Sequence, residues 1–539
     1  MRSKVALAGI VFALLASPSP VFAQHEDHGA PIAGRIPAEI IHRPLPLRTG
    51  IGIVHHATSA KSAEAQQFYE QGLAYLHSYV WLEAARSFNE AIRREASFAL
   101  AWVGLSRALT GLEDHNAAVA AQKKAEALAP SVTPRERKWI DARTAQLASL
   151  GDRQSVDRRD AYRAALDAAL EQDPGDAELW TLRGNFEEPG LWAAGRGQRG
   201  SASAIAFYER AIALVPGHFG AHHYLIHTYE MIGRFDEAVK HGKIYADAAP
   251  SVPHALHMYG HDLMKIGRTT DALEVFDRAR RLEETYYESE KIARDYDWHH
   301  AHNTSLLAFS YRHEGRLRQA EGLMRQAAAV GQQNPSRQGY YKGVLVDFLI
   351  ATGKLDEALA SAKKMIDDQE VTTKTLGQAL AARALLAANQ TSEAKPFLGA
   401  LPAVSPGGYN GSQIDLARGE AALRGNDAQT GVRLLEGLLV RARQQRTPDG
   451  WIEGVFFIEA AFDVAMRTNQ PTLAAKAAAM LMEHDAAYGG THYAQGLIVE
   501  RDGNRAAAMK SFQEAARLWK NADADFKPLL DSRRKSGAQ

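Results

Sequence analysis

Small and apolar residues recur at helical spacing along most of this chain, in blocks of about 34 residues. Counted from Ala65 as position 1, Gly72 falls at position 8, Tyr75 at 11, Ala84 at 20, Phe88 at 24 and Ala91 at 27. The next block begins at Ala99 and puts Trp102 at position 4, Ala118 at 20, Ala125 at 27 and Pro130 at 32. Each block predicts two helices joined by a short turn. Small residues at 8, 20 and 27 let the two helices approach closely. Aromatics at 4, 11 and 24 fill the space between hairpins, and proline at 32 ends the second helix.

These positions resemble the tetratricopeptide consensus. The resemblance implies an all-α fold, a solenoid of helix hairpins wound into a right-handed superhelix. Further blocks start at Phe219, Pro253, Ala301, Gly339 and Gly489. A helix pair with longer connections is predicted over Thr133 to Asp173, and residues 375–480 fit the frame loosely. The expected organisation is a central solenoid over 62–334, a C-terminal solenoid over 335–523 and a tail over 524–539. Two stretches interrupt the frame, a glycine-rich one near Pro189 to Gly200 and one over Tyr287 to His300. The first lacks the Lys-Ser or Lys-Thr pair of a phosphate-binding loop.

The N-terminus follows different rules. Arg2 and Lys4 precede an apolar run from Val5 to Ala16, and Val21-Phe22-Ala23 supplies small residues at −3 and −1 of a cut after Ala23. That pattern predicts a signal peptide over 1–23. The apolar run is shorter than the ~20 residues of a membrane span. A periplasmic or secreted location follows as the expectation, with no membrane span after cleavage. Residues 24–61 are polar, rich in Pro and His and without periodicity, and are expected to form a disordered arm.

Composition removes some chemistries. The chain has no cysteine, so disulfides and thiolate ligands are excluded. Lys plus Arg and Asp plus Glu both number 63, so no global charge points to nucleic acid.

Histidine adds a candidate chemistry. Of 21 histidines, 12 lie between His218 and His313. In tetratricopeptide proteins, positions 2, 5, 9, 12 and 13 of the first helix line the concave groove. The Phe219 block puts His223, His227 and Glu230 there; the Pro253 block puts His254, His257 and His261; the Ala301 block puts His302, Arg312 and His313. His223/His227 and His257/His261 are each four apart, hence on one helical face. Inner helices about 8–10 Å apart would bring the two pairs together, so these four are the candidate metal ligands. Two histidines and a carboxylate suit non-haem iron, and several histidines suit zinc or copper. A solvated polar groove that binds a protein or peptide partner uses the same residues without a metal.

Gln71-Gly72-Leu73, Glu83-Ala84, Ala101-Trp102, His223-Tyr224-Leu225-Ile226-His227, His257-Met258 and His302-Asn303 also resemble a group of exported bacterial tetratricopeptide proteins. That resemblance implies no established activity. The sequence departs from the group at Tyr79-Val80-Trp81, at Tyr259-Gly260-His261 and at Thr304-Ser305, which puts any shared ligand set in question. The reading from sequence is a groove that binds a protein or peptide, with a metal-binding protein or metalloenzyme as the alternative.

Overall fold

The computed structural model describes residues 36–537 apart from 189–198, 333 and 426. The predicted leader, residues 24–35 and most of the glycine-rich interruption lie outside the described residues. Within them all regular structure is helical, with no strand. Twelve successive hairpins run from Ala63–His77 paired with Trp81–Arg94 to Gly489–Arg501 paired with Arg505–Leu518. Among the described residues, no helix is long and apolar enough to cross a membrane.

The frame read from sequence has a direct packing cause. A side chain on Gly72 or Gly104 would start 2.6 or 2.3 Å from the Phe88 ring. Gly260 stands in the same relation to Phe276, and Gly496 to Phe512. Glycine at position 8 therefore makes room for the aromatic at position 24. Helices Phe219–Met231, Pro253–Lys265 and Gly489–Arg501 begin where the frame begins. The frame at Ala301 enters late, because Asp297 caps a helix that already starts at Trp298.

Four expectations about organisation change. Residues 36–61 are an ordered strap: Ile36, Ile40, Leu45 and Ile51 are buried. Their apolar residues are sparse and aperiodic, so they carry no local signal and find partners only on the folded solenoid. The tail holds a helix, Lys527–Ser536, whose Leu529 is buried. The second interruption is shorter than read, because Thr269–Glu290 extends to 22 residues before a 3₁₀ turn at Arg294–Tyr296. Finally, one apolar core runs from Ile51 to Met258 and the next from Leu263 to Leu529, so the core divides inside Pro253–Lys265 rather than near residue 334.

The hairpins close on themselves. Trp81 of the first hairpin stacks on Trp298 of the seventh, with ring centroids 5.7 Å apart. The strap follows the rim of this turn. Ser59 donates to Glu136, His56 pairs with Asp176 at 3.2 Å, and the Ser251 amide donates to the Gly50 carbonyl at 2.8 Å. The buried Arg86 then ties the strap to Glu290 and Glu83. A second turn returns to the same middle hairpins: His302 meets Asp449 at 3.1 Å, and His313 meets Asp485 at 2.8 Å. The inner faces of hairpins five to seven are thus covered from both sides.

Candidate functional site

Closure turns the predicted groove into an interior. His223, Glu230, His254, His257, His261, His302, Arg312 and His313 are all buried, and His227 is half-buried, its side chain 26% exposed. That face is closed to an extended peptide where the histidines sit.

Eight of the nine residues sort into four groups. In the first, His223 is the hub. Its Nε2 lies 3.2 Å from His227 Nε2 and 3.1 Å from His254 Nε2. Its Nδ1 is 2.5 Å from the His77 carbonyl, to which it can only donate, so the Nε2 lone pair faces the other two rings. Burial and the neighbouring histidines hold His223 and His254 well below the usual imidazole range, and burial lowers His227 to about 4. All three are neutral at pH 7.

In the second, His257 Nε2 lies 3.1 Å from His302 Nε2, and His302 Nδ1 meets Asp449. In the third, Glu230 pairs with His261 Nδ1 at 2.7 Å and with Lys265 Nζ at 2.5 Å. Burial alone would raise the Glu230 carboxyl, but His261 and Lys265 pull it far below the usual range. The adjacent Asp262 goes the other way, pushed up by burial and by the Glu230 charge. In the fourth, Arg312 lies over the Phe456 ring at 3.8 Å, between Asp347 at 3.6 Å and Glu459 at 3.5 Å. Its charge is met internally. His313 stands apart, held by Asp485 and 4.7 Å from the Tyr488 ring.

Of the four candidate metal ligands, His223 and His227 come together, while His257 and His261 face different partners. His254 takes the third place beside the first pair. The reason is helix phase: His254 at position 2 of its block reaches back to His223, His257 at position 5 points onward to His302, and His261 at position 9 turns back to Glu230.

Sequence reasoning missed three contributors. His77 and Lys265 sit at position 13 of the Ala65 and Pro253 frames, so the groove rule already reached them. His77 Nε2 meets Glu178 at 2.9 Å and His218 joins the same carboxylate at 3.3 Å. Burial opposes the Glu178 charge, but His77 and His218 hold it well below the usual carboxylate range. Tyr79 is the third. Its ring centroid lies 4.7 Å from His223, 5.5 Å from His254 and 6.2 Å from His227. It stands at position 15, the hairpin turn, with φ 55°. Later repeats put Gly233, Gly267, Gly315, Gly353 and Gly503 at that position. A bulky side chain there is strained.

No family model matches the chain, and no curated protein matches it. Among solved structures it is similar to yeast Tom70, with 13% identity and a TM-score of 0.35 over 77% of this chain and 92% of that one. A tetratricopeptide repeat protein from Parabacteroides merdae is 15% identical, with a TM-score of 0.36 over 57% and 98% of the two chains. The human IFIT1 dimer with PPP-AAAA is 12% identical, with a TM-score of 0.37 over 80% and 91%. Whole-chain superposition at these scores is poor. The solenoid assignment rests on the hairpins themselves.

Proposed function

We propose that this chain is an exported helical-repeat scaffold that binds a polypeptide segment on the concave face of its C-terminal turn. The observation that carries the reading is Asp463. It is exposed on the helix Pro448–Arg467, one turn from Glu459. The neighbouring charges are already matched: Arg312 and Arg383 by Asp347, and Arg467 by Glu420. Among the described residues Asp463 has no ion-pair partner. A lysine or arginine from outside would pair with Asp463, so the segment bound here carries positive charge. The leader-like pattern of residues 1–23 supports delivery to the periplasm or beyond.

Fluorescence anisotropy tests this on the processed chain, with Gln24 expected as its first residue by mass spectrometry. Lysine-rich peptides are expected to bind, increasingly weakly as salt rises, and acidic peptides not to bind. Asp463→Asn should weaken binding about tenfold, ~1.4 kcal/mol. Equal affinity for basic and acidic peptides, or none for either, would reject the reading. So would a retained Met1 for its exported part.

A further inference from the structure

We propose that His223, His227 and His254 form a binding site for one divalent transition-metal ion, zinc by its coordination preference. The site is separate from the concave face of the C-terminal turn and does not depend on it.

The ligand atoms of the three residues all lie within 4.8 Å of one another, and His223 Nε2 is 3.2 and 3.1 Å from its two partners. A zinc ion bound by imidazole nitrogens at about 2.0–2.1 Å in a tetrahedron separates those nitrogens by about 3.3 Å. The three rings already hold two edges of that figure to within a few tenths of an ångström.

The His223 Nε2 lone pair can accept one N–H, yet two Nε2 atoms crowd it. A cation at the centre takes three lone pairs at once and removes the conflict.

The His223 Nδ1 donation to the His77 carbonyl is the outer contact that fixes a ligating imidazole in one tautomer. Glu230 lies 3.9 Å from His227 Nδ1 and brings negative charge next to the set without joining it. Tyr79 is held in a left-handed turn with its ring against all three imidazoles. Only His227 reaches solvent, which gives an ion a way in and leaves room for a fourth ligand from water.

Three other clusters are weaker candidates. His77, Glu178 and His218 satisfy each other as a charge-matched set. Glu230 and His261 are already paired with each other and with Lys265. His222 and His241 offer only two nitrogens, 2.7 Å apart.

The test uses the processed chain without a histidine tag, stripped with a chelator and titrated with Co²⁺. The expected result is a visible band typical of four-coordinate Co²⁺ that saturates at one ion per chain and is displaced by Zn²⁺. His254→Ala should abolish the band while circular dichroism remains helical. His241→Ala, outside the set, should leave it intact. If His254→Ala does not stay folded, His227→Gln, at the solvent-facing ligand, serves in its place and should lower affinity at least tenfold. An unchanged band in a folded His254→Ala or His227→Gln chain would overturn the assignment. So would a parent chain that binds no Co²⁺ and no Zn²⁺ at micromolar concentration.

Discussion

A histidine at position 5 or 9 of an open solenoid faces water and titrates near its ordinary value. In this molecule the same positions face other imidazoles in a dry interior, and burial decides their charge. His223, His227 and His254 all have folded values below the ordinary 6.5. A lowered value means that the unfolded chain takes up protons first as pH falls. The stability contribution is therefore complete above about pH 6.5 and is lost as pH drops toward the folded values. For His227, lowered to about 4, the loss at pH 5 is about 2 kcal/mol. Melting temperature of the chelator-stripped chain is expected to fall between pH 7 and pH 5, and to fall less in His227→Gln. Equal slopes for parent and variant would contradict this account of the interior.

Within the hairpins, glycines serve two separate purposes. Gly104 is helical and gives Phe88 its space. Alanine there improves helix propensity by ~1 kcal/mol, but its Cβ would sit 2.3 Å from a fully buried ring. Overpacking of about 1–3 kcal/mol exceeds that gain, so Gly104→Ala should destabilise, and Phe88→Leu in the same chain should recover part of the loss. Gly353 has φ 77°, and a Cβ added there would meet no atom within 4 Å. Gly353→Ala therefore costs only backbone strain, ~1 kcal/mol, and Phe88→Leu should not relieve it. Thermal unfolding of the four variants separates steric from conformational roles; a Gly104→Ala chain as stable as the parent would remove the packing argument.

At the scale of the whole molecule, the strap and the second turn decide shape. Residues 36–61 start against Tyr287 and Ile292 and cross the N-terminal rims of several inner helices. Arg86 sits at the junction, buried, with Glu83, Glu290 and strap carbonyls as partners. Its replacement by methionine keeps bulk but leaves Glu83 buried without its cation, a loss of about 3–5 kcal/mol. Small-angle scattering of Arg86→Met should show a larger radius of gyration, and proteolysis should open first within the strap. An unchanged radius with a lower melting temperature would mean that Arg86 stabilises without holding the turn closed.

Local rules reach a definable distance into this protein. The 34-residue spacing of Gly72, Ala84, Phe88 and Ala91 specifies the hairpin, since those contacts lie within one repeat or between neighbours. The groove rule put His223, His227 and His254 on inner helices, because helical phase is a local property. It could not show that Asp449 meets His302, that Trp81 meets Trp298 or that Tyr79 lies over three imidazoles. Those contacts depend on the superhelix closing, and closure sums small angles over many hairpins. A few degrees per repeat separate an open groove from a sealed one, and no residue in the sequence encodes that angle alone. Helical phase, legible in the chain, settles which side chains face inward. The closed superhelix settles that inward means imidazole against imidazole, out of water, with only His227 left at the edge.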